Sequence, residues 1–126
     1  MIRLHTRRLP KTVAMLSVML VWSASVVSAA GEVANVKYRG SVPLNTFTCV
    51  HTPDSSVIGR ICYDENERYM IVLVRQTYYH YCEVDADTVA AFVGAPSAGK
   101  FYNRYIRGEG SGGPFDCRTR RVPEYP

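Results

Sequence analysis

Two tripeptides, Cys49-Val50-His51 and His80-Tyr81-Cys82, are mirror images of one another. In extended chain, residues two apart project to the same side. Cys49, His51, His80 and Cys82 would then present two thiols and two imidazoles, a donor set that zinc accepts. Two features oppose a metal centre: the usual zinc spacings are absent, and thiols in an oxidising compartment pair with one another. With four cysteines in all, Cys49, Cys62, Cys82 and Cys117, the expectation is two disulfides, with neither metal nor other cofactor.

The same histidine lies in an aromatic run, Thr77-Tyr78-Tyr79-His80-Tyr81-Cys82. As a strand, this puts Tyr79 and Tyr81 on one face and Tyr78, His80 and Cys82 on the other. One tyrosine pair is expected to pack under helices with its hydroxyls bonded at the rim. The functional alternative is a binding face with Tyr78 and His80 outward, which could stack bases beside Arg104 and Arg107. Asn103 and Arg107, one helical turn apart, could form a small polar site, although an arginine at a helix end also serves to bond terminal carbonyls. The candidate binding residues are therefore Tyr79, Tyr81, His80, Asn103 and Arg107. Catalysis is less well supported. Past the first 29 residues the chain has two histidines, Cys–His chemistry needs a free thiol, and the acids of Asp64-Glu65-Asn66-Glu67 read as a solvated turn.

The compartment follows from the first 29 residues. Arg3, Arg7, Arg8 and Lys11 precede an apolar run, Val13 to Val27, and small residues close it around Ala29. This is the pattern of a cleaved secretory signal peptide, and it places the protein in the periplasm or outside the cell. Kept uncleaved, residues 13–30 as a helix would span roughly 27 Å, just under a bilayer core, so the leader is the one route to a membrane. The chain carries 15 basic and 11 acidic residues. Removing the leader's four cations leaves eleven against eleven, so the basic character belongs to the leader and gives no argument for nucleic acid as a partner.

The elements that must position these residues come next. Residues 30–54 read as an irregular lead-in with one short extended piece, Asn35–Gly40. Three strands follow, over 56–63, 68–74 and 77–84, joined by short loops that force antiparallel neighbours in the order 1-2-3. In the middle strand Met70, Val72 and Val74 face one way and Ile71 and Leu73 the other, so cover is expected on both faces. Asp85 or Asp87 can cap a helix that Gly94 ends, and Pro96-Ser97 open a second that Gly108 stops. The expected fold class is α+β: a small three-stranded antiparallel sheet followed by two short helices, stapled by disulfides. Residues 109–126 form a tail that Cys117 must tie down.

Ser55-Ser56 opening the first strand, Tyr63-Asp64 at its end, Tyr79 and Tyr81, then Ala95–Asn103 and Ile106-Arg107-Gly108 follow one another at intervals that resemble the KTSC domain. That short domain occurs at the C-terminus of some lysyl-tRNA synthetases and as a stand-alone bacterial protein. The resemblance covers residues 55–108. It implies no settled activity; RNA binding has been suggested for the family through its association with the synthetases. An export signal, four cysteines and a glycine-rich stretch after Gly108 set this chain apart. The function expected is an exported binding or interaction domain for a protein or small ligand of the periplasm. Single-stranded nucleic-acid binding is the alternative, and a small hydrolase the second.

Strand order also bears on the cysteines. If strands 1 and 3 flank strand 2, Cys62 and Cys82 lie roughly 9–10 Å apart, beyond the ~7 Å that a disulfide spans. Cys62 should not pair with Cys82. Cys49–Cys62 with Cys82–Cys117, and Cys49–Cys82 with Cys62–Cys117, both remain open. The leader yields a direct test: N-terminal sequencing of native protein from the periplasm should read from Ala30 or Gly31, and intact chain starting at Met1 in the cytosol would refute the signal-peptide reading.

Overall fold

Tyr69–Val74 is the most apolar strand of the chain and lies inside the sheet, with four of its six residues buried. The structure, a computed structural model, describes residues 31–108 and 112–126; the leader expected over 1–29 lies outside the described residues. Six strands form one sheet: β1 Val33–Val36, β2 Gly40–Pro43, β3 Thr48–His51, β4 Ile58–Asp64, β5 Tyr69–Val74 and β6 Thr77–Tyr81. Their spatial order is β2-β1-β6-β5-β4-β3. The three expected strands are β4, β5 and β6, antiparallel neighbours in the expected order. Arg75 and Gln76 connect β5 to β6, and Arg75 takes the left-handed conformation (φ 57°) that tight hairpins favour.

The sheet is nevertheless six-stranded and mixed rather than three-stranded. Residues 30–54 are not an irregular lead-in: they supply β1, β2 and β3. β1 and β2 form a hairpin around Lys37–Arg39, and β3 pairs along β4. β1 joins β6 in parallel through a single register pair, Val36 with Tyr78, supported by the Lys37 N–H donating to the Tyr78 carbonyl at 2.9 Å. Four-residue strands alternate too briefly to announce themselves, and Pro43 argues against a ladder except where it falls here, on an edge strand.

The register of β4 shifts between Ile58 and Arg60, with Gly59 at the irregularity. A Cβ on Gly59 would sit 3.1 Å from Leu73 Cδ2, so the missing side chain lets the strands approach. Ile58 and Ile61 consequently face the helices with Met70 and Val72, while Cys62 faces the opposite side with Tyr69 and Ile71.

Helix α1, Ala86–Val93, is capped by Asp85, whose carboxylate accepts from the Thr88 N–H at 3.1 Å. Helix α2, Ala98–Phe101, is capped by Ser97 and runs into a wider π-type turn over Tyr102–Ile106. Gly108 follows in a left-handed conformation (φ 70°), as its place after the helix predicted. Val89, Phe92, Tyr102 and Ile106 pack against the first face. Ala34, Val36, Val42 and Leu44, all from the N-terminal segment, cover the second. No helix among the described residues is long and apolar enough to cross a membrane.

Cys49 pairs with Cys62 across β3 and β4, and Cys82 with Cys117 of the tail. Cys62 and Cys82 do not pair, as the strand order required. A buried carboxylate completes the closure. Asp64, 3% exposed, accepts from Thr46 Oγ1 at 2.8 Å, the Tyr125 hydroxyl at 2.9 Å and the Glu67 N–H at 3.3 Å. It thereby ties the N-terminal segment, the tail and the β4–β5 turn to one point. Replacing Asp64 by Ala should cost about 3 kcal/mol, since it strips three donors of their acceptor. Urea unfolding should show a lowered midpoint with an unchanged slope; an unshifted midpoint would contradict this role.

Candidate functional site

Tyr79 and Tyr81 alternate onto the helix side of β6, and the π-type turn brings Tyr102 to meet them. The Tyr81 and Tyr102 hydroxyls are hydrogen-bonded, and their rings stand edge to face at 5.9 Å. Burial, then the Tyr102 hydroxyl, push the Tyr81 phenol far above its ordinary range; burial likewise raises Tyr102. Both are neutral at physiological pH. Arg107, at the end of the π-type turn, donates its backbone N–H to the Tyr102 carbonyl at 2.8 Å, which sets it beside this pair.

The hairpin turn between β1 and β2 adds residues that sequence reasoning missed. Lys37 Nζ lies 5.6 Å from the Tyr79 ring centroid and 5.2 Å from that of Tyr38. Tyr38 is 86% exposed and takes a left-handed conformation (φ 68°). A hairpin reading of Asn35–Gly40, with Gly40 beyond the turn, would have pointed to this pair. Lys37, Tyr38, Tyr79 and Arg107 bring phenols and two cations to the surface, while Tyr102, 5% exposed, belongs to the core. Such a surface can receive an anion or stack a planar group.

The other predicted residues go elsewhere. His80 and Tyr78 are not outward: both are partly buried, and Tyr78 packs on the core formed with β1 and β2. His80 Nδ1 is hydrogen-bonded to the buried Tyr69 hydroxyl at 2.8 Å. Cys49 and His51 lie on β3, three strands from His80, so the mirror-image tripeptides do not meet. Asn103 lines a groove of about 490 Å³ between the β3–β4 and α1–α2 loops, with His51, Asp54, Ser55, Ser97 and Lys100. The serines there are occupied structurally. Ser55 Oγ accepts from the Ile58 N–H at 2.9 Å, and Ser97 Oγ from the Lys100 N–H at 3.3 Å. Arg107 does not line this groove.

Fold and surface define a small disulfide-stapled α+β domain with a tyrosine-and-cation face. The KTSC domain model matches residues 54–109. Among solved structures, a KTSC domain protein from Yersinia pestis is 31% identical, over 49% of this chain and 90% of that one, with a TM-score of 0.44. None of the curated proteins matches. The chain belongs to the KTSC domain family.

Burial, then the charge of Arg39, hold His80 below its ordinary value of 6.5, with Asp116 opposing them. The unfolded chain therefore takes up this proton at a higher pH than the folded one, and stability rises with pH across the interval. The contribution is full above 6.5 and is lost as pH falls through the folded value. Denaturant midpoints should drop between pH 7.5 and 5, and His80→Gln should flatten that dependence. An equally steep profile in the variant would contradict the assignment.

Proposed function

We propose that the protein is an exported binding domain that holds an anionic ligand on the face formed by Lys37, Tyr38, Tyr79 and Arg107. The observation that carries this reading is Lys37, set over two tyrosine rings with one of them almost wholly in solvent. The open ring and the ammonium beside it offer a ligand both a planar contact and a positive charge. Arg107 supplies a planar guanidinium suited to carboxylate or phosphate. A ligand here would be recognised by charge and ring contact. The hydrolase alternative has less support, because His80 is bonded to Tyr69 and the Asp116 carboxylate is bonded to Arg118.

Single-stranded nucleic acid is the second reading. Tyr105, 50% exposed, lies under Arg104 at 5.4 Å, a further ring and cation on which a base could stack. The charge balance beyond the leader opposes it.

Titration of the purified protein with a hexaglutamate peptide, and separately with a single-stranded RNA oligonucleotide, followed by tyrosine fluorescence, tests both readings. The peptide should bind, and joint replacement of Lys37 and Arg107 by Ala should weaken it about tenfold, or about 1.4 kcal/mol. RNA binding should be weak and lost by about 0.15 M salt. Tight RNA binding at that salt would favour the second reading. Affinities unchanged in the double variant would remove the face altogether.

A further inference from the structure

Behind the sheet, one ring nitrogen of His80 and the sulfurs of Cys82 and Cys117 all lie within 4.8 Å of one another. We propose that these three side chains form a redox-gated site for a thiophilic divalent cation, zinc, closed as the Cys82–Cys117 disulfide and open as the dithiol. The proposal is independent of the ligand face, which lies on the other side of β6.

The donor set is right for zinc, which takes thiolate sulfur and imidazole nitrogen in a tetrahedron. Tetrahedral ligand atoms at zinc distances stand about 3.5–3.8 Å apart, so the triad needs shifts of about 1 Å. Water would complete the fourth position. His80 also has the outer partner that metal-bound imidazoles require: its Nδ1 is bonded to the Tyr69 hydroxyl at 2.8 Å, which orients the ring, and in this proposal Nε2 is the nitrogen that meets the metal. Two thiolates and a neutral imidazole cancel the charge of the cation. The charged groups that act on His80 are Arg39 and Asp116, one of each sign. A neutral site adds no charge for either to oppose.

Opening does not scatter the ligands. His80 and Cys82 are fixed by β6 and its continuation. Cys117 is held near them by more than its disulfide. The Phe115 carbonyl accepts the Cys82 N–H at 2.9 Å. Arg120 pairs with Glu83 at 2.9 Å, Arg121 with Glu67, Arg39 with the Pro123 carbonyl, and Tyr125 with Asp64. The tail stays docked at several points after the sulfur–sulfur bond is cut.

The gate needs a dithiol reductant of the thioredoxin type. Cys82 is buried and Cys117 partly exposed, so the incoming thiolate attacks Cys117 Sγ. The Cys82–Cys117 bond breaks, Cys82 leaves as a thiolate, and a mixed disulfide forms at Cys117. The reductant's second thiol then displaces Cys117 and leaves as an intramolecular disulfide. Two electrons enter the protein and two are lost by the reductant. Zinc binding releases the thiol protons to solvent.

Cobalt(II), a coloured stand-in for zinc, provides the test. Phosphine-reduced protein, its fold checked by circular dichroism, should bind one equivalent with a sulfur-to-cobalt charge-transfer band that zinc abolishes; oxidised protein should show none. The band should be lost in Cys82→Ser and kept in Cys49→Ser. Tyr69→Phe, which keeps the ring but removes the hydroxyl on His80, should weaken binding about tenfold, and His80→Gln should shift the band. A band that survives Cys82→Ser, or that is indifferent to His80→Gln and Tyr69→Phe, overturns the proposal. So does the absence of binding to reduced protein, or loss of the fold on reduction without recovery on adding cobalt.

Discussion

A three-stranded sheet with apolar residues on both faces cannot stand in water with one face bare. β5 imposes this constraint, since Met70 and Val72 point to one side and Tyr69 and Ile71 to the other, all fully buried. Helices α1 and α2 with the π-type turn cover the first side. The second is covered from both flanks of the family segment: by β1, β2 and the turn before β3 from one end, and by Cys117 and Tyr125 of the tail from the other. Asp64 stands where these covers meet, and its three donors come from three different parts of the chain. A buried carboxylate is tolerable only when it is bonded in this way, so the polar tie specifies how the apolar layers close.

The covering hairpin also builds the candidate ligand face. β1 reaches β6 by a single register pair, and the next residues are Lys37 and Tyr38. Their placement over Tyr79 follows from that pairing. The family-matched segment supplies Tyr79 and Arg107, while the added hairpin supplies an ammonium and an exposed ring. Scaffold and surface thus come from different parts of the sequence.

His80 shows how one strand serves two faces. Its neighbours Tyr79 and Tyr81 meet the helices, whereas it turns to Tyr69 and the second disulfide. Its partial burial keeps it from acting as an outward recognition residue. The same burial sets it between the Tyr69 hydroxyl and the Cys82–Cys117 disulfide.

Much was legible because it is local or forced by counting. Period-two alternation assigned the faces of β5 and β6; Asp85 or Asp87, and then Ser97, announced two helix starts; short loops set the β4-β5-β6 order, and that order excluded a Cys62–Cys82 bridge by distance alone. The motif intervals carried the family. What stayed hidden depends on partners distant in sequence. β1, β2 and β3 are too short to show a period, and they become strands only through ladders with each other, with β6 and with β4. Either disulfide pairing left after that exclusion satisfied the count, and only the pairing of β3 along β4 brought Cys49 opposite Cys62. Residues two apart share a face, which sequence shows; which strand lies beside that face is a matter of tertiary closure. For that reason Cys49 and His51 never meet His80, while Lys37 meets Tyr79 across the sheet.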